Sequence, residues 1–282
     1  MSRFSVAALL CSGLLVLGAC SDSESDPTAG ALREHLALGN PSGAASEASQ
    51  TGNYLLVKPQ YVLSYSRERG IANWVAWHLS KEWLGSAPRQ DDFRADEALP
   101  AGWYQATGSS YQGSGFDRGH LCPSADRTRS TADNSATFLM TNMVPQAPNN
   151  NQRTWAALEE YCRTLVGQGN ELYIVAGAYG KGGTGSNGYV STLEQGRITV
   201  PKRLWKVVVV LPTGDDDLKR MGSNTRVIAL DLPNDNSVSS NWGSYRTSVD
   251  AIEQVTGYDI LSSLPTTTQA TLEVRVDAGP TQ

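Results

Sequence analysis

Histidine and cysteine are scarce in this chain, with 3 and 4 residues among 282. Too few soft ligands remain in the folded part for a zinc centre, and Cys122 and Cys162 lack the close paired spacing that such centres use. No phosphate-cradling glycine-rich loop ending in lysine occurs, and no Gly-x-Ser-x-Gly elbow. No apolar run reaches the roughly 20 residues of a membrane span. Positive charge is also in deficit: the formal net charge is -5 and the pI is about 5.3. A typical nucleic-acid binder is basic, so the global balance argues mildly against a polyanionic partner. The argument is weak for an enzyme, which needs only a local positive cleft and has to release its product.

What is present begins at the N-terminus. Arg3 precedes an apolar run over residues 6–17, followed by Gly18-Ala19-Cys20. A basic start, a short apolar stretch and small residues before a cut site read as a signal peptide over residues 1–19. Leu17-Gly18-Ala19-Cys20 resembles a bacterial lipobox, which makes Cys20 the expected lipidated first residue of the mature chain. An ordinary signal peptide that happens to precede a cysteine is the plain alternative. Residues 20–52 are rich in Ser, Asp, Gly, Ala and Glu, and read as a flexible tether. His35 falls inside it and is expected to be irrelevant. The folded domain is expected over residues 53–275, with a disordered tail at 276–282.

Within the domain, residues 54–57, 61–65, 73–79, 172–176, 204–211 and 227–232 have the composition of strands. In residues 73–79, Trp74, Ala76 and His78 share one face and Val75, Trp77 and Leu79 the other, so His78 reads as a partly buried, hydrogen-bonded strand residue. Residues 85–116 read as long loops, a length usually reserved for function. Helical periodicity starts at Asn151, with Trp155, Leu158, Cys162 and Leu165 on one face. Thr247 and Asp250 resemble a capping box for a helix that Gly257 stops. Strands in neighbouring runs predict an α+β domain with a mostly antiparallel sheet flanked by helices.

Two segments carry candidate chemistry. His120 lies in Asp117-Arg118-Gly119-His120, where an imidazole titrates near its ordinary value of about 6.5 and Arg118 offers a planar fork for phosphate. An Asp117–Arg118 salt bridge beside an ordinary histidine is the alternative. The second segment is Asn149-Asn150-Asn151, leading to Glu159. At standard helical geometry Asn151 and Glu159 lie about 80° apart around the axis and roughly 12 Å along it. An oxygen ligand in a first helical turn fits a hydrated divalent cation with a phosphate. The same asparagines also suit a plain helix cap.

Together, the segments 89–94, 111–121, 123–127, 138–146 and 151–159 closely resemble the DNA/RNA non-specific endonucleases, the Serratia-type family with a ββα-metal site. The likeness is strongest to its cyanobacterial sugar-nonspecific members, and a weaker likeness continues through 201–206 and 248–257. It implies a metal-dependent enzyme that cuts DNA and RNA, single- and double-stranded, with little sequence preference. It implies His120 as general base, Asn151 as the only protein ligand of magnesium (Mg2+) or manganese (Mn2+), and Glu159 as a carboxylate bonded to metal-bound water. Arg89 corresponds to a transition-state arginine and Arg118 to a phosphate-contacting one, with Asp117 and Asn142 in support. Relatives often carry a cysteine near position 162, and an exported chain allows the pair to oxidise, so either a Cys122–Cys162 disulfide tying the His120 segment to the helix or two buried free thiols is expected. With Cys20 lipidated, the expected location is the periplasm or cell surface, anchored in a bacterial envelope. The rival readings are a narrower nuclease on the same scaffold, a non-catalytic DNA-binding lipoprotein, and a structural envelope lipoprotein.

Overall fold

A computed structural model describes residue 1 and residues 27–281. Residues 2–26, which include Cys20 and most of the expected signal peptide, lie outside the described residues. A seven-stranded sheet organises the chain. Its strands run, in spatial order, Tyr54–Lys58, Tyr61–Ser66, Ile71–Leu79, Asn170–Tyr179, Arg203–Pro212, Arg226–Pro233 and Arg246–Thr247. Every neighbouring pair is antiparallel. Both faces of the central strands are covered, so alternation divides each strand between two cores rather than between core and solvent. Val75, Trp77 and Leu79 enter one core with Leu158 and Cys162; Trp74 and Ala76 enter the other with Val249, Ile252 and Leu264. The face assignment read from residues 73–79 therefore holds, and His78 is a half-buried strand residue stacked on Tyr173 at 4.6 Å.

The first core lies under a second, two-stranded sheet and the helix Ala156–Gly167. The second lies under the helices Val249–Thr256 and Thr266–Leu272 and the N-terminal segment. The cap at Val249–Thr256 differs by one residue from the expected box: Ser248 accepts from the Ala251 N–H, and Gly257 ends the helix at φ 74°. The short helix Thr131–Ala136, capped by Ser130, has no apolar periodicity and was not expected.

Residues 27–52 are not a tether. Pro27–His35 is a helix, and His35 is buried, with Nε2 2.9 Å from the Pro59 carbonyl and Nδ1 accepting from the His78 N–H. Downstream, Asn53 accepts from both Ser42 and Ser64, and the Trp74 indole donates to Ser42. Short polar side chains anchor this segment, which is why its composition resembled a linker. The expected tail at 276–281 is likewise held: Arg226 makes a bidentate pair with Asp277 at 2.9 Å on each arm, and Arg246 donates to the Gly279 carbonyl.

Cys122 and Cys162 are buried free thiols, not a disulfide. Burial pushes each thiol up to about 12, so neither is a reactive thiolate at neutral pH. Alkylation of the denatured, unreduced chain should label both cysteine peptides, while the native chain stays unlabelled for as long as it stays folded. Recovery of a linked Cys122–Cys162 peptide would contradict this assignment.

Candidate active site

Asp117–His120 pairs antiparallel with Met143–Gln146, placing Asp117 opposite Gln146 and His120 opposite Met143. The chain then turns directly into a helix, completing two strands and a helix. Two side chains hold this unit in place. Asn142 is fully buried; its Oδ1 accepts from the Cys122 N–H and its Nδ2 donates to the carbonyls of Cys122 and Thr137. It thereby clamps the backbone two residues past His120. Asn234 donates to the Pro145 and Pro201 carbonyls and accepts from the Ala147 N–H, tying the hairpin to the large sheet. At Gly119 a Cβ would lie 2.1 Å from Gln146 Oε1, so the close approach of the two strands requires glycine there.

The helix differs from the regular one expected. Asn150–Trp155 is a π-helical segment, and α-helix begins only at Ala156. The i→i+5 bonding widens the turn and invalidates the 80° separation derived for Asn151 and Glu159. It also buries Asn150, which accepts from Gln146 at 3.0 Å and donates to the Pro233 carbonyl, while Asn151 remains half-exposed.

Asn151 Nδ2 donates to Asp117 Oδ2 at 2.8 Å, and Gln152 Nε2 donates to the same oxygen at 2.8 Å. A carboxylate only accepts, so Asp117 fixes the Asn151 amide with its oxygen turned away from the bond. Asp117 thus pairs with Asn151 and Gln152 rather than with Arg118.

His120 is only 8% exposed. Its ring meets Phe93 at 5.6 Å and Phe138 at 4.9 Å, both edge-on, and its Nε2 is buried without a hydrogen-bond partner. Packing, not a carboxylate, orients it. The same two phenylalanines carry the arginines: Arg118 stacks over Phe93 at 3.8 Å and Arg89 over Phe138 at 4.9 Å. Arg89 also donates to Asp91 and Ser124, and Arg118 to the Gly108 carbonyl. Burial first, then Arg89 and Arg118, pushes His120 down to about 3. The near-neutral value expected from its polar sequence neighbours is therefore wrong, because the ring packs against residues distant in sequence.

A cleft of about 710 Å³ opens here, walled by Arg89, Phe93, Asp117, Arg118, Asn151 and Gln152 among others. His120 and Glu159 are more enclosed and do not form its walls. Glu159 accepts from Lys206 Nζ at 3.2 Å. Lys206 is 1% exposed, with Nζ 4.1 Å from the Trp155 ring centre. Burial raises the Glu159 carboxyl and Lys206 opposes the rise. The helix is further tied by Arg163 to Asp126, which also accepts from the Trp77 indole. Lys206, Asn150 and Asn234 were not anticipated as site residues. For Lys206 a signal existed, namely one charge within an apolar central strand.

The cleft walls thus carry two arginines and an amide oxygen oriented by a carboxylate, on a two-strand-and-helix unit, with the enclosed His120 ring packed against the phenylalanines that carry the arginines. The comparisons identify its class. The chain belongs to the DNA/RNA non-specific endonuclease family, whose model matches residues 40–267. It is 54% identical over 243 residues to a nuclease of Nostoc sp., covering 86% of each chain. It is 34% identical to nuclease C1 of Cunninghamella echinulata, covering 59% of this chain and 68% of that one. To human mitochondrial endonuclease G it is 34% identical over 163 residues, 56% of this chain and 54% of that one. A crystal structure of an EndoG/EndoGI complex shares the fold, with a TM-score of 0.67 at 21% identity, over 84% of this chain and 94% of that one. The protein is an endonuclease, a hydrolase acting on nucleic acid.

Proposed function

We propose that this endonuclease cuts DNA and RNA, single- and double-stranded, with little sequence preference, using Mg2+ or Mn2+ at Asn151 and His120 as general base. The observation that carries the reading is the enclosed His120 with Arg89 and Arg118 on its two flanking phenylalanines. An uncharged imidazole can take the proton of an attacking water as the water oxygen bonds to phosphorus and the leaving oxygen departs. Arg89 and Arg118, on the cleft wall, would offset charge gained by phosphate oxygens. Contacts of this kind engage phosphate rather than base, which accounts for weak sequence preference.

The donor chemistry suits a hard divalent cation. The Asn151 oxygen is directed away from Asp117, and a neutral oxygen ligand at the cleft wall leaves room for water and phosphate. Such a cation supplies charge neutralisation at the scissile phosphate. Glu159, held by Lys206, is the carboxylate nearest in role to an outer ligand. If Asp117 orients Asn151, Asp117→Ala should raise the Mg2+ concentration for half-maximal activity about tenfold. Unchanged metal dependence would remove Asp117 from this role.

The test of the function is cleavage of supercoiled plasmid and structured RNA with Mg2+, with Mn2+ and with chelator. Metal-dependent loss of both polymers supports the reading; loss of one only would restrict the substrate, and loss of neither would overturn it. Export with a lipid on Cys20 is part of the same proposal and rests on Leu17-Gly18-Ala19-Cys20. Cys20→Ser should release the chain from the membrane fraction.

A further inference from the structure

The core opposite the cleft carries a concentration of acid that the nuclease chemistry does not use. Asp250 and Glu253 lie on Val249–Thr256, Asp259 follows the helix end at Gly257, and Glu273 caps Thr266–Leu272. One carboxylate oxygen from each of Asp250, Glu253 and Glu273 lies within 4.8 Å of the other two. Two of the residues are already linked through backbone, the Asp250 N–H donating to the Glu273 carbonyl at 3.1 Å. Glu253 Oε1 accepts from the Ile260 N–H at 2.7 Å.

Glu273 is the informative member. It is 7% exposed, and its Oε1 is buried with no hydrogen-bond partner. Leaving a buried carboxylate oxygen unpaired is costly. Among the described residues, none of Asp250, Glu253, Asp259 and Glu273 forms an ion pair. The charges acting on Glu273 are all negative, and together with burial they push its carboxyl up to about 7. The other acidic cluster of similar spacing, His78, Glu171 and Asp217, differs in this respect, because Arg220 binds both of its carboxylates.

We propose that Asp250, Glu253 and Glu273 form a structural site for a divalent cation of the calcium type, separate from the catalytic cleft. Calcium takes carboxylate and carbonyl oxygens at about 2.3–2.6 Å, so two ligands across the ion stand up to about 5 Å apart. One oxygen from each of the three residues lies within that reach of the other two. The ion would give the orphaned Glu273 oxygen a partner and offset the mutual repulsion of the acids. It would also join the two C-terminal helices that cover this core, acting on stability and not on the reaction.

The alternative occupant is a proton on Glu273, and the experiment separates the two. The chain carrying Asn151→Ala removes the proposed catalytic ligand, so any calcium response is independent of the nuclease reading. Stripped with chelator and titrated with Ca2+ at neutral pH, it should show an unfolding midpoint rising by about 3–8 °C, with one site by calorimetry. Adding Glu273→Gln, or the more exposed Asp250→Asn if that chain folds poorly, should abolish both signals. No Ca2+ response in the Asn151→Ala chain, or a full response retained with Glu273→Gln and Asp250→Asn, would overturn the proposal in favour of a protonated Glu273.

Discussion

Replacing His120 with alanine should lower kcat/KM on plasmid DNA by a hundredfold to ten-thousandfold, roughly the contribution of a positioned general base. The unfolding midpoint must be measured beside it, because truncating a ring packed between Phe93 and Phe138 also opens a cavity. The pH profile distinguishes this histidine from an ordinary one. Burial, Arg89 and Arg118 hold its pKa down at about 3, so the free enzyme keeps the imidazole neutral far below 6.5. With metal saturating, kcat/KM should not fall through pH 6.5, since that parameter reports groups of the free enzyme. A break at 6.5 that disappears with His120→Ala would show that the ring is solvated rather than enclosed. Stability has the opposite visibility. Below 6.5 the unfolded chain binds a proton that the folded chain refuses, so acidification towards pH 4.5 costs on the order of 2 kcal/mol per such histidine. His35, held down to about 4 chiefly by burial, adds to the same slope.

How far the sequence carried the reading depends on where each interaction partner lies. The strand pattern of residues 73–79 was legible because alternation is local, and the antiparallel sheet was legible from strands that come in neighbouring runs. Asp117, Arg118, His120, Asn142 and Asn151 were legible as a set only through the resemblance, since their convergence depends on a hairpin with a loop of some 20 residues between its strands. Three features were hidden for physical reasons. The π-helical segment at Asn150–Trp155 is set by the buried bonds of Asn150 to Gln146 and Pro233, partners that helical periodicity does not show. The depressed pKa of His120 comes first from burial of a ring packed against Phe93 and Phe138, which lie well away in sequence, and then from Arg89 and Arg118, so the polar character of its neighbours misled. Residues 27–52 are held by hydrogen bonds in which the strand residues Trp74 and Ser64 donate to Ser42 and Asn53, and Ser42 donates to Asn53, although such composition also describes linkers.

Lys206→Met should destabilise the chain by about 3–5 kcal/mol, the usual cost of removing one partner from a buried ion pair. Glu159 would be left enclosed, its carboxyl already raised by burial and no longer opposed by Lys206. Adding Glu159→Gln should recover most of that stability, because an isolated buried charge is worse than none. Activity should not recover with it. The two readouts part because the pair serves different ends: stability needs charge balance, whereas the proposed outer-ligand role needs an ionised Glu159. Lys206→Met alone should therefore show activity that falls at pH 7 and returns as pH rises and Glu159 ionises. A purely structural Lys206 would lower activity by the same factor at every pH. The aromatic surroundings favour the first outcome. With Lys206 Nζ 4.1 Å from the Trp155 ring centre, the ammonium is desolvated and cannot be replaced by a solvent cation. A lysine kept at that cost inside a seven-stranded sheet is explained if its charge holds the Glu159 carboxylate ionised.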